Sequence, residues 1–243
     1  MTTDAEIEIR RTLRLFHQPG EIVEIRCLRV PGRGKPFQAS GYFDDFDLAA
    51  KIVAEYDGER KPEGIYHTLN VVNPALFARS PNQITDHCEL TTADNNIIER
   101  RWTLKDADPV RPRGISSTDD ELQSAITAAE NVREYLRDRG LPEPVHAISG
   151  NGCHVLTPMT MPNDDDSRRA VETLLKTLAA KSAEFTSPGA PAVSIDASVF
   201  NAARICRLYG TTARKGHDTP DRPHRRSRLT YIPDYLPGGS IRD

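Results

Sequence analysis

"IIERRWTLKDAD", residues 97–108, decides how the chain is read, because an apolar-flanked stretch with the composition of a strand closes on two aspartates one residue apart. Side chains alternate along a strand, so Asp106 and Asp108 share one face about 7 Å apart, while Lys105 and Ala107 take the other. Neighbouring carboxylates repel each other, and a cation relieves them.

Downstream of this strand the periodicity changes. "TDDELQSAITAAENVREYLRDRG" (118–140) is an amphipathic helix, opened by a capping box of Thr118 and Glu121 and closed by Gly140. "PVHAIS" and "CHVLTPM" are short strands around the turn "GNG". "DDSRRAVETLLKTLAAKSAEF" is a second long helix, and "AVSIDAS" is a strand ending in acid. Strand, helix, hairpin, helix, strand predicts an α+β fold, a small RRM-like antiparallel sheet with both helices on one face. "ARICRLYGT" is the last clear strand, and "RLTYIP" is a candidate beyond it.

Upstream, residues 7–16 have helical spacing and stop at "HQPGE". "EIVEIRCLRV" pairs with "FQASGYF" through the turn-rich "PGRGKP". "DDFDLAAKIVAEYDG" is a helix with an aspartate cap and a stop at Gly58, and "GIYHTLNVV" is a strand. Residues 73–97 read as a loop with one helical turn. No linker or repeat divides the chain. The expectation is one domain, with an N-terminal α/β portion (1–96) packed on the RRM-like portion (97–232) and a tail (233–243).

The 243 residues carry 32 Lys and Arg against 35 Asp and Glu, a net charge of −3, and no apolar run long enough to span a bilayer. The N-terminus lacks the pattern of a secretory signal, so a soluble, cytoplasmic protein without a membrane partner is expected. Cys27, Cys88, Cys153 and Cys206 are widely spaced, which argues against a zinc ribbon or a disulfide framework and for reduced, mostly buried thiols. The overall charge carries no basic footprint, but residues 204–228 hold "RICR", "ARKG" and "RPHRRSR". These form either a local basic surface or a solvated tail.

Asp196 also follows an apolar strand, and three convergent carboxylates suit hard Mg²⁺ or Mn²⁺; a solvated turn entry is the plainer reading of the pair. In "SGNGCH" the glycines let backbone N–H groups approach phosphate oxygens, and His154 could donate to the same polyphosphate, unless it is a core or surface histidine. In "NAARICRLYGTTARKG", Arg204 and Arg207 do not share a face of a regular strand without a bend or bulge. With Arg214 and Lys215 they are cations suited to a triphosphate.

"DAD", "SGNGCH" and "SIDASVFNAARICRLYGTTARKG", in this order and spacing, resemble the three motifs of the archaeo-eukaryotic primase superfamily, specifically its prokaryotic primase-polymerase branch. "GYFDDFDLAAKIV", "GIYHTLNVVNPALFARSPNQI" and "DPVRPRGISSTDDEL" extend the resemblance over nearly the whole chain. The resemblance implies that Asp106, Asp108 and Asp196 hold two divalent ions, Mg²⁺ or Mn²⁺. It implies that Ser149, Gly150, Asn151 and His154 contact the nucleotide, and that Arg204, Arg207 and one or both of Arg214 and Lys215 steady its triphosphate. Asn70, Arg79 and Asn82 match the N-terminal pattern without an assigned role. Lys105 departs from it, since that position is commonly apolar, and is either an internal partner for a carboxylate or a sign of an altered site.

The implied function is a template-dependent primase-polymerase that makes and extends primers on single-stranded DNA from nucleoside triphosphates, with a helicase or other replication, phage or CRISPR-linked proteins as further partners. A two-metal nuclease shares the carboxylates but needs no triphosphate cradle. An inactive single-strand-binding module is the competitor from another class. From charge and position alone, Arg222, His224, Arg225, Arg226 and Arg228 are candidates for primer initiation or DNA contact.

Overall fold

Thr3 accepts from the Glu6 backbone N–H while the Glu6 side chain accepts from the Thr3 backbone N–H, and this capping box starts helix α1 (Asp4–Phe16) three residues earlier than the apolar spacing predicts. The computed structural model describes residues 2–235; residues 236–243 of the expected tail lie outside them. Strands β1 (Val23–Val30) and β2 (Phe37–Phe43) form the expected hairpin. Helix α2 (Phe46–Arg60) is capped by Asp45 and runs through Gly58, ending at Lys61 in the left-handed conformation.

The predicted single strand at 64–72 is two strands, β3 (Gly64–Thr68) and β4 (Val71–Val72), in different sheets. Asn70 makes the crossing. Its Oδ1 accepts from the backbone N–H groups of Arg101 (2.8 Å) and Trp102 (3.1 Å), and its Nδ2 donates to Ala202 O (3.0 Å). Two 3₁₀ turns (Pro74–Arg79 and Asp94–Asn96) punctuate the following loop.

The second half runs β5 (Ile97–Pro109), α3 (Asp119–Arg137), β6 (Val145–Ile148), β7 (Cys153–Pro162), α4 (Asp165–Ala180), α5 (Ser182–Phe185) and β8 (Val193–Ile195). Its strands pair antiparallel in the order β8-β5-β7-β6, the arrangement of a βαββαβ unit. The fold is thus α+β. The predicted second helix breaks at Lys181 into α4 and α5. Ala125, Ala128, Ala129, Val132 and Leu136 of α3, with Leu178 and Phe185 of α4 and α5, pack on Ala107, Cys153, Val155, Val193 and Ile195, so the helices cover one face.

The chain then returns to the first half. Strand β9 (Ile205–Arg207) pairs with β3 and completes a sheet of order β2-β1-β3-β9, whose Val23, Ile25 and Cys27 pack on α1 and α2. Strands β10 (Thr212–Ala213) and β11 (Arg225–Arg226) pair with each other, and β12 (Arg228–Tyr231) joins the edge of β6. The "RPHRRSR" segment is therefore folded, not a solvated tail. With β9 in the first sheet and β4 in the second, the division at residue 96 is not a boundary between sheets. The uncovered face of the second sheet, with Trp102, Leu104 and Leu156, packs on Phe16, Leu69, Cys206 and Tyr209. Beyond that apolar contact the sheets leave a polar cleft.

All four cysteines are free; Cys27, Cys153 and Cys206 are buried. Among the described residues no helix is long and apolar enough to cross a membrane.

Candidate active site

Strand register brings the acidic groups together. Asp106 of β5 stands opposite His154 of β7, and on its other side the Asp196 N–H donates to Asp106 O (3.0 Å) just past the end of β8. Asp106 and His154 are thus neighbours on adjacent strands with Asp108 two residues along the same face, and Asp196, beyond the end of β8, stands beside Asp106 without lining the cleft. The opposing wall is β3 and β9, where Tyr66 and Arg207 are cross-strand partners. The Arg207 guanidinium lies 4.4 Å from the Tyr66 ring centre and donates to its hydroxyl (3.0 Å). Gly64 makes room for it: a Cβ there would sit 2.2 Å from Arg207 Nη1.

The cleft between these walls has a volume of about 140 Å³ and opens to solvent. Asp106 and Asp108 line it with the cations Arg111, Arg207 and Lys215. Ser149, Asn151 and His154 form its polar floor, and Glu63 and Tyr66 its rim. Arg207 Nε and Nη1 are buried without a hydrogen-bond partner, an arrangement that costs free energy until an acceptor arrives.

Burial, then the charges of Asp108 and Asp196, push the Asp106 carboxyl up to about 7 despite Arg111 and Lys215. Burial, then Arg207 and His67, bring His154 down to about 3, so its imidazole is neutral. Its Nε2 stands 3.5 Å from Asp106 Oδ1.

The turn "SGNG" is tight for local reasons. Ser149 N donates to Gly152 O (3.0 Å), and Gly152 N to Ser149 Oγ (3.3 Å). Gly150 has φ +110°, and a Cβ there would lie 2.4 Å from that of Ala213. At Gly152 a Cβ would lie 2.5 Å from Ala107 O, so only glycine lets the turn approach the aspartate strand. Asn151 Oδ1 accepts from the Ser117 N–H (2.9 Å).

The expected basic residues divide. Arg207 and Lys215 enter the cleft, whereas Arg214 turns away to Asp57 Oδ1 (2.5 Å) and to the carbonyls of Asp57 and Pro62. Arg204 donates to Ser198 O (3.1 Å) and does not line the cleft. Arg222 is paired with Glu121 (2.8 Å), and Arg225 with Asp119 (2.6 Å) and Ser117 O (2.8 Å), so both strap their segment to the start of α3. His224 Nε2 is 3.0 Å from Gly216 O. Arg226 and Arg228 are exposed.

Lys105 is not a partner for a carboxylate. It is buried on the opposite face of β5, where its ammonium donates to Thr157 Oγ1 (2.6 Å) and Thr103 O (3.3 Å), and burial lowers it to about 7. Asn82 accepts from the N–H groups of Asp44 and Asp45 ahead of α2, and Arg79 donates to Tyr42 Oη (3.4 Å) and Thr91 O (3.3 Å). Neither lines the cleft, nor does Asn70.

Sequence reasoning missed Arg111, Tyr66 and Glu63. Arg111 is held by Asp108 Oδ1 (2.9 Å), Pro109 O and Ile115 O. Its only signal was a cation three residues after Asp108 in "DPVRPRG".

The donor chemistry fits a hard divalent cation: carboxylates that raise one another's affinity for a proton also attract Mg²⁺ or Mn²⁺. Asp106 and Asp108 offer oxygens to the cleft. Asp108 Oδ1 is engaged by Arg111, and Asp196 Oδ1 accepts from the Ser198 N–H (2.7 Å). Among the described residues no three His, Cys, Asp or Glu side chains already form a ligating group.

No family model and no curated protein matches the chain. Among solved structures it is similar to the polymerase domain of Mycobacterium tuberculosis Ligase D in complex with DNA, with 14% identity, a TM-score of 0.45, and coverage of 91% of this chain and 79% of that one.

Proposed function

We propose that the chain is a template-dependent nucleotidyltransferase that starts and extends primers on single-stranded DNA from nucleoside triphosphates. The observation that carries the reading is one cleft in which a carboxylate pair, Asp106 and Asp108, faces Arg207, a buried guanidinium with unpartnered Nε and Nη1. Carboxylates alone suit many hydrolases. A cationic wall opposite them suits a substrate that brings its own polyphosphate, and the motif resemblance runs in the same direction.

In this reading Arg207 and Lys215 bind the β- and γ-phosphates, and Ser149 and Asn151 seat the polyphosphate at the glycine turn. His154, neutral and held on the floor, donates to a phosphate oxygen. A primer 3′-hydroxyl, or the hydroxyl of a first nucleotide, gives up its proton to solvent water and attacks the α-phosphorus, the bond to the bridging oxygen breaks, and pyrophosphate leaves. Asp106 and Asp108, with Asp196 beside them, would hold Mg²⁺ or Mn²⁺, which supplies charge neutralisation at the phosphates and acidifies the attacking hydroxyl. Arg226 and Arg228, exposed on the β11–β12 side, are the basic groups left for template or initiation contacts.

The test is incubation of the full chain with unprimed and primed single-stranded DNA, Mg²⁺ or Mn²⁺, and labelled ribo- or deoxyribonucleotides. Labelled products that grow with template length support the reading; a folded chain that binds DNA and incorporates nothing overturns it. A specific observation favours the second reading, a binding module without chemistry: Arg111 already neutralises Asp108. In that case Asp108→Asn leaves DNA binding unchanged and no activity exists to be lost.

A further inference from the structure

We propose that Tyr209 is a positioning residue that locks His154 in its Nε2–H tautomer, with Cys206 as the second member of the lock. The inference rests on the reading above, in which His154 meets the nucleotide.

The two ring nitrogens of His154 face different surroundings. Nε2 looks toward the cleft and Asp106, while Nδ1 lies 2.8 Å from Tyr209 Oη, and both residues are buried. Cys206 Sγ is 3.4 Å from the same hydroxyl and 3.5 Å from Nδ1. A phenol has one proton to donate, so two arrangements exist. In one, the thiol donates to Oη, Oη donates to Nδ1, and Nε2 carries the ring proton into the cleft. In the other, Nδ1 donates to Oη, Oη donates to sulfur, and the bare Nε2 lone pair faces phosphate oxygens and, with Asp106 ionised, its carboxylate oxygens, which only accept. The first arrangement pairs every group; the second sets acceptor against acceptor at the substrate.

The lock is rigid because its backbone is. The next residue, Gly210, donates its N–H to Ser227 O (2.8 Å) and has φ +100° with no room for a Cβ against Ile9 and the backbone of Ala5. Tyr209 also follows Arg207 by two residues, so one short segment supplies both a triphosphate cation and the group that orients the histidine donor.

The experiment is nitrogen-15 NMR of the His154 ring in the ion-free full chain at pH 8.5, where Asp106 is ionised, wild type against Tyr209→Phe and Tyr209→Phe/Cys206→Ala, with the dissociation constant of a non-hydrolysable nucleoside triphosphate in Mg²⁺ and that of single-stranded DNA. The double variant is needed because the thiol can reach Nδ1 once the phenol hydroxyl is gone. The expected result is a protonated Nε2 and a hydrogen-bonded, unprotonated Nδ1 in the wild type, mixed tautomers in the double variant, and nucleotide binding weakened about five- to tenfold, one neutral hydrogen bond, with DNA affinity unchanged. A wild-type Nδ1–H tautomer overturns the proposal, as does a double variant with unaltered tautomer and unaltered nucleotide affinity. The wild-type spectrum decides even if the variants fail to fold. Since it needs no substrate, a wild type in the Nε2–H form that binds no nucleotide supports the lock and overturns only the functional reading.

Discussion

Asp106 and His154 stand directly opposite each other on β5 and β7, with Nε2 3.5 Å from Oδ1, yet they are not an ion pair, because the imidazole is neutral. The carboxylate's electrostatic neighbours are instead Asp108 and Asp196, which with burial raise it to about 7. The folded state therefore binds a proton more tightly than the unfolded chain, and without divalent ions stability falls as pH rises from about 4 to about 7. Asp106→Asn should abolish incorporation yet stabilise the ion-free protein at pH 8 by about 1 kcal/mol, the full shift being discounted for partial exposure. At pH 4 the gain should vanish. Urea unfolding in a chelating buffer at both pH values checks this; Asp108→Asn should show no gain, because it loses Arg111.

The buried pair His17 and His67, with Nε2 and Nδ1 3.1 Å apart, has the opposite sign. Burial lowers His67 to about 4, and burial with its two neighbours His67 and Arg101 lowers His17 well below its usual value. Their contribution is fully present above about pH 6.5 and is lost as pH falls toward 4, by about 3 kcal/mol for His67 alone. Urea midpoints, in an Asp106→Asn background that removes the opposing trend, should hold from pH 7.5 to about 6.5 and fall from there to pH 4.5. A flat profile would mean that both rings are hydrated.

Arg214 and Lys215 are sequence neighbours with separate tasks. Arg214→Ala strands the largely buried Asp57 and should cost about 3 kcal/mol of stability. Lys215→Ala should leave the unfolding midpoint unchanged and raise the nucleotide KM about tenfold, as expected for a lost charged hydrogen bond.

Arg225→Ala should lower the melting temperature by releasing the strap to Ser117 and Asp119. Arg226→Ala with Arg228→Ala should not, since both are exposed. If those two touch DNA phosphates, isotherms for single-stranded DNA across a salt series should show a slope shallower by about 1.4.

Asn70→Ala removes three hydrogen bonds where the chain passes between sheets, leaving the backbone N–H groups of Arg101 and Trp102 and the Ala202 carbonyl without that partner. A loss of about 3 kcal/mol is expected. Asn70→Asp, which sets a buried carboxylate oxygen against Ala202 O, should also destabilise in thermal unfolding.

What the sequence determined by itself is local. The βαββαβ order follows from periods of two and 3.6, the start of α3 from Thr118 and Glu121, and the shared face of Asp106 and Asp108 from strand alternation. Each is set by residues a few positions apart. The tertiary structure alone decided the break of residues 64–72 at Asn70, the burial of Lys105 on the helix-covered face, and the entry of Arg111 into the cleft. It alone separated Lys215 from Arg214, whose partner Asp57 is 157 residues away, and turned Arg222 and Arg225 from free charges into a strap on α3. A cation's partner depends on which distant carboxylate the sheets bring within about 3 Å, and no pattern in a local window of sequence encodes that distance.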